Sequence, residues 1–295
     1  MISYDTKAWF TFLFRIHRFE TLRSLAPLLV AITAYAAFIT YGTEFIALYG
    51  YKDGLSSLSA LYSALGFVLS LLLVFRTNTA YDRWWEGRKL WGGLVNVTRN
   101  LALEGASLAK DLPAGDGTRN QYNTCLRHFP RALMFHLREQ RFEMPSDPEL
   151  HAAVHQPLFI SQGVLQCIEK MSAQAAHGDL RILRVVPLQQ ELMNICGACE
   201  RIKNTPIPFI YSVFLKKFVF LYVMFFPWVF ANTMHGFCVP ATAFVLYVFA
   251  TLELIAEEIE NPFNGDPSDL PLEQLCEVMG RSVDQLDPNH GNAEG

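Results

Sequence analysis

Charge is missing from long stretches of this 295-residue chain. No Asp, Glu, Lys or Arg occurs between Arg23 and Glu44, between Asp53 and Arg76, or from Phe218 to Leu252. Each of the first two gaps matches the roughly 20 residues a helix needs to cross hydrocarbon. The third is too long for one ordinary span and is interrupted by Asn232, His235, Gly236 and Pro240, so it reads as two spans joined by a tight turn. One long tilted helix and a re-entrant hairpin are the alternatives. Other absences exclude function classes. A net charge of -4 leaves no basic footprint for nucleic acid or acidic substrates. The six cysteines are scattered, which fits a reducing cytoplasm rather than a disulfide framework. There is no phosphate-binding glycine loop, nucleophile elbow or catalytic carboxylate pair, so no turnover chemistry is expected and the chain does not read as an enzyme. The segment before Arg23 lacks the short apolar core and cleavage site of a secretory signal and reads as an interfacial amphipathic lead-in.

What is present is apolar: 51% of the residues are hydrophobic, and the mean hydropathy is positive. Every Lys and Arg except Lys52 lies in the N-terminal segment, in the block from Arg76 to Lys217 or in the C-terminal tail. The positive-inside rule then places both termini and the central block in the cytoplasm, and the Gly42–Gly54 loop and the His235 turn outside. The expected architecture is an all-α membrane protein of the cell (inner or plasma) membrane. Residues 1–75 hold the N-terminal segment and two spans, 76–217 a helical cytosolic domain, 218–260 two further spans, and 261–295 an acidic loop and tail. A secondary transporter is disfavoured by the lack of an internal repeat or intramembrane carboxylate; a non-conducting scaffold stays open.

Within the central block, Trp84, Trp91, Leu94 and Leu101 recur near helical spacing and predict a helix over Tyr81–Lys110, ended by Leu112-Pro113 and the glycines after it. Further helices are expected over Thr118–Gln140, Asp147–Ala176 and Leu180–Asn204, and Asp287–Gly295 reads as a disordered end.

The most specific string starts where the second span ends: Phe75-Arg76-Thr77-Asn78-Thr79-Ala80-Tyr81-Asp82-Arg83-Trp84-Trp85-Glu86. No breaker separates the apolar helix from this charged, tryptophan-rich segment. Asp82, Arg83 and Glu86 suggest ion pairs between helices or subunits, and Trp84 and Trp85 also suit an interfacial aromatic belt. The prolines of Thr205-Pro206-Ile207-Pro208 impose an extended bend. From Glu258 to Asp269, hard oxygen donors gather on a Pro/Gly loop that suits a calcium-like cation; an acidic helix end followed by a capped turn is the bland alternative. Cys196-x-x-Cys199 lacks a second pair and sits in a helical pattern, which favours buried thiols. His128, His136, His151, His155 and His177 show no metal-ligand spacing.

Through Asp82-Arg83-Trp84-Trp85, Ile259-Glu260-Asn261-Pro262-Phe263 and Pro206-Ile207-Pro208-Phe209-Ile210-Tyr211, the chain resembles the bestrophin family of ion channels over most of Ser3–Asp269, and in its bacterial form. The resemblance implies a homopentamer in membrane lipid, with four spans per subunit around one central pore for small monovalent ions. By the animal members the permeant ion is chloride or another anion; by some bacterial members it is a monovalent cation such as sodium. Counted back from the Arg-Trp-Trp string, the family's apolar neck falls on Phe67, Leu71 and Phe75. Their i, i+4, i+8 spacing puts them on one helix face, where five copies would stack apolar rings able to gate by dewetting. By composition alone these residues would equally face lipid or packed helices. Ile207 falls at the cytosolic aperture, with a buried turn residue as its plain reading. Ser56, Ser59, Ser63 and Ser70 suit a hydrophilic vestibule or close helix packing. The family's calcium clasp maps onto Glu258, Asn261, Asp266 and Asp269, with Glu258 where Gln is expected and Pro267-Ser268 interrupting the acidic run. No cofactor is required by this reading, and a divalent cation at that loop would be modulatory.

Overall fold

A computed structural model describes residues 20–47, 58–113, 116–144, 148–175 and 177–286. The lead-in before Glu20, the 48–57 stretch with most of the outer loop and Ser56, and the 287–295 end lie outside the described residues. Among those described there is no strand. The helices are α1 (Glu20–Ala47), α2 (Ser59–Leu108), α3 (Thr118–Leu137), α4 (Pro148–Ala152), α5 (Gln156–Gln174), α6 (Gly178–Asn204), α7 (Phe209–Met234), α8 (Cys238–Glu260) and α9 (Leu272–Asp284).

α2 is one helix of 50 residues. The absence of Pro between Ser59 and Leu108 lets the apolar span run on into the tryptophan-rich segment as the sequence predicts. It ends where expected: a single 3-10 turn, Ala109–Asp111, follows, and Leu112 turns extended with ψ 146°, the conformation imposed by the next residue, Pro113. The predicted helix over Asp147–Ala176 is instead two. It breaks at Ala153-Val154-His155, because Pro157 cannot donate to a continuing ladder and is accommodated only in the first turn of α5, with His155 as its N-cap.

The chain forms two compact units, dividing at Asp82/Arg83, Thr205/Pro206 and Glu260/Asn261. The first two divisions differ from the expected 75/76 and 217/218, since Arg76 and the start of α7 make their side-chain bonds with the apolar helices.

In the apolar unit, α1 packs on α7 and α8, and α7 packs on α8. Its core joins Ile32, Leu69, Leu73, Leu215, Val219, Val223 and Leu246. α7 and α8 are separated by a 3-10 turn at His235–Phe237, where His235 takes a left-handed φ of 48°. The stretch from Phe209 to Glu260 is therefore a packed helix pair and not one long helix. Pro240 does not make the break; it sits in the first turn of α8, where its missing N–H costs nothing. Among the described residues, three stretches, Leu25–Thr43, Ser59–Asp111 and Phe209–Glu260, are long and apolar enough to cross a membrane.

In the second unit, Trp91, Leu94 and Leu101 of α2 are fully buried against Tyr122, Leu126, Phe129 and Leu133 of α3, with α5, α6 and α9 completing the core. Tyr122 donates its hydroxyl to the Leu101 carbonyl at 2.8 Å. Its ring lies so close to Gly105 that a Cβ there would meet it at 2.1 Å. Gly105→Ala is expected to destabilise by about 1–3 kcal/mol through overpacking. Gly197→Ala, on an exposed helical position with nothing within 4 Å, should instead stabilise by roughly 0.5–1 kcal/mol. Thermal unfolding of the two variants in detergent should move in opposite directions.

Candidate functional site

The membrane-length half of α2 has two unlike faces. Tyr62, Gly66, Leu69, Leu73, Arg76 and Ala80, spaced alternately four and three residues apart, are all buried. This seam is held closely: a Cβ on Gly66 would meet the Tyr222 hydroxyl at 2.3 Å, and the Tyr62 and Tyr222 rings stack at 4.2 Å. On the opposite face Phe67, Leu71 and Phe75 are 71%, 44% and 55% exposed. The packing of this unit thus leaves the predicted neck row free to meet something outside the chain. Ser63 and Ser70 return their hydroxyls to the carbonyls of Ser59 and Gly66 at 2.8 Å. Those donors are used inside the helix.

One residue after this row comes a buried charge. Arg76 is 2% exposed. Its Nη2 donates to Glu260 Oε2 at 2.7 Å, and its Nε lies 3.7 Å from Glu253 Oε2. The other oxygen of Glu260 accepts the backbone N–H of Ile207 at 2.6 Å. A single carboxylate at the end of α8 therefore ties the guanidinium beside Phe75 to the backbone of the predicted aperture residue. The side chain of Ile207 is half-buried. Tyr211 adds a bond from its hydroxyl to the Leu72 carbonyl at 3.2 Å. Arg76, Glu253 and Glu260 together carry one excess negative charge if all are ionised. Sequence reasoning assigns none of them a role at the site; a lone Arg closing an uncharged span is the signal that could have found the group.

Within the chain the Asp82–Glu86 string makes main-chain hydrogen bonds as well as an interhelical ion pair. Arg83 donates to the carbonyls of Ile202 and Thr205, the orphan acceptors at the end of α6. Trp84 gives its indole N–H to the Ser268 carbonyl at 3.1 Å. Glu86 does form an ion pair, with Arg201. Asp82 and Trp85 are exposed. On the acidic loop, Asp269 is buried and its Oδ2 accepts the N–H groups of Gly265 at 2.7 Å and Asp266 at 2.9 Å, stapling a turn in which Gly265 has φ 106°. Asn261 donates to the Asn264 side chain at 2.7 Å, and Asp266 is exposed. Glu258 lies half-buried near the end of α8.

Cys196 and Cys199 are fully buried, and burial pushes the Cys199 thiol up to about 12, which suits packing and not redox exchange. His136, His155 and Glu200, far apart in sequence, converge: Glu200 Oε1 lies 2.6 Å from His136 Nε2 and 2.8 Å from His155 Nε2. Burial pushes the Glu200 carboxyl up, but the two imidazoles more than offset it and hold the group below the ordinary range.

Arg76→Met, which strands the buried Glu253 and the partly buried Glu260, is expected to cost about 3–5 kcal/mol, read as a lower unfolding temperature in detergent. Adding Glu253→Gln and Glu260→Gln should recover most of that loss. An unchanged melting curve in the single variant would mean that the buried pair contributes nothing.

A profile of the bacterial and fungal bestrophin proteins matches residues 1–285. The chain is 32% identical over 292 residues to a voltage-dependent anion channel-forming protein of Synechocystis, covering 92% of each. It is 35% identical over 233 residues to a protein of that name from Nostoc, covering 74% of each. Its fold resembles the crystal structure of a Klebsiella pneumoniae bestrophin homologue, with a TM-score of 0.75 at 24% identity over 88% of this chain and 97% of that one. Matched along nearly all its length by the profile and by the Synechocystis relative, the chain belongs to the bestrophin family.

Proposed function

We propose that the protein is an anion channel of the cell membrane: a homopentamer in which each subunit contributes four spans (α1, the first half of α2, α7 and α8) and Phe67, Leu71 and Phe75 form the neck of a central pore. The observation that carries this reading is the two-faced α2, which buries its heptad-like seam and leaves the three apolar residues outward. Five such faces around an axis would make rings with no substitute for an ion's hydration shell, and so a gate that works by dewetting. The names of the Synechocystis and Nostoc relatives support anions as the permeant class. Ile207, held through its backbone by Glu260, forms the cytosolic aperture. Both termini face the cytoplasm, following the Lys and Arg distribution.

Since neck and aperture side chains are uncharged, they set how easily ions pass more than which sign passes. Purified protein in liposomes should carry chloride. Replacing Phe67, Leu71 and Phe75 together by Ala should raise flux about tenfold, equivalent to about 1.4 kcal/mol off the barrier. Background flux in both proteins would overturn the channel reading in favour of a scaffold. Under a salt gradient the reversal potential should follow the chloride gradient; a potential following sodium instead would establish a cation channel of the same fold.

The acidic loop separates two roles within one short segment. Asp269 is a structural staple, and the exposed Asp266, with Asn261, is left as the modulatory calcium-like site. Asp269→Ala should lower the unfolding temperature with or without calcium. Asp266→Asn should leave that temperature unchanged and abolish a severalfold calcium effect on flux; flux indifferent to calcium in the unmodified protein would remove the site.

A further inference from the structure

Three side chains of metal-ligating type meet at one point of the second unit. His136 is in the last turn of α3, His155 caps α5, and Glu200 is near the end of α6. Their donor atoms all lie within 4.8 Å of one another. Both imidazoles present Nε2 to the same carboxylate oxygen, with ring centroids 4.5 Å apart. All three side chains are roughly 30% exposed, so a small ion has access from solvent.

We propose that His136, His155 and Glu200 form a site for a divalent transition metal of the zinc class. Two imidazole nitrogens and one carboxylate oxygen are the protein ligands of an open tetrahedral zinc centre, with a water in the fourth place. Nitrogen donors also argue for zinc, copper or nickel over calcium or magnesium, which take oxygen. The end of α3 favours positive charge at His136. Glu200 supplies the countercharge.

The present hydrogen bonds show what binding must change. His155 Nδ1 accepts the Leu158 N–H at 3.1 Å, so the neutral ring carries its proton on Nε2, the atom that would ligate. Binding moves that proton to Nδ1 through solvent, and the Leu158 N–H turns to water. The loss is one helix-cap hydrogen bond, small beside three metal–ligand bonds. Ligands about 2.0–2.1 Å from a tetrahedral ion stand about 3.3 Å apart. The 2.6 and 2.8 Å contacts must therefore open slightly, which side-chain rotation at a half-exposed site provides.

The test uses the full chain, purified without a polyhistidine tag and stripped of metal. Titrated with Co2+, it should develop the intense visible absorption of a tetrahedral nitrogen/oxygen site at one ion per subunit, without thiolate charge-transfer bands, and Zn2+ should displace it. Zn2+ should raise the unfolding temperature. His136→Gln and Glu200→Gln, which keep much of the hydrogen bonding, should each weaken Zn2+ binding at least tenfold and abolish that rise. A pale octahedral spectrum in the unmodified protein, or binding unchanged in both variants, would overturn the site. Should a variant fail to fold, the unmodified protein's spectrum and stoichiometry decide alone. Ion flux plays no part in the readout, so the result is independent of the conduction reading.

Discussion

A guanidinium withdrawn from water has to be paired, and at Arg76 that need organises the end of an otherwise uncharged helix. The charge cannot be left alone in the packed seam of α2, because an unpaired buried ion costs more than most single contacts in a protein supply. The compensating carboxylates come from the last turns of α8, at Glu260 and Glu253. Their requirement fixes the rotation of α2 about its axis. With Arg76 inward, Leu73, Leu69 and Gly66 follow it into the seam, and Phe75, Leu71 and Phe67 are turned out.

The same carboxylate gives that rotation a consequence elsewhere in the unit. Glu260 has two oxygens, and with one on Arg76 the other is free to hold the Ile207 N–H. Between Pro206 and Pro208 the backbone has few conformations and few donors, so one charge-assisted bond goes far toward fixing where the Ile207 side chain is presented. The outward row of α2 and Ile207 thus share an anchor, although Phe75 and Ile207 lie far apart along the chain. The Arg76, Glu253 and Glu260 group lies next to the apolar row of Phe67, Leu71 and Phe75, whose own side chains carry no charge.

The second unit uses its polar groups to close helix ends. Arg83 serves the last carbonyls of α6, Trp84 a carbonyl of the acidic loop, Asp269 two amides of its own turn, and His155 the first turn of α5. Residue types alone suggest a charge network over Asp82–Glu86. A planar donor such as Arg83 can, however, satisfy two main-chain acceptors at once, and helix termini always supply them. The convergence of His136 and His155 on Glu200 has the same origin, in helix ends brought together by the packing of α3, α5 and α6.

Local properties of the chain settle the helices. Uncharged runs of membrane length, the 3.6-residue period after Tyr81, the turn at His235 and the two-proline bend at Ile207 are each written within a few consecutive residues, and so are legible in the amino-acid sequence. The motifs carrying the family likeness are equally local. Where one local signal competes with another, the weaker is hidden, as at Pro157, whose effect on the preceding turn is lost in an otherwise helical pattern. Pairing is not local. Arg76 finds Glu260 across 184 residues, and His136 finds Glu200 across 64, distances over which no spacing rule operates. Only tertiary packing, which decides the rotation of each helix and the neighbours its buried charges must find, could say which face of α2 is turned outward and which imidazoles share a carboxylate.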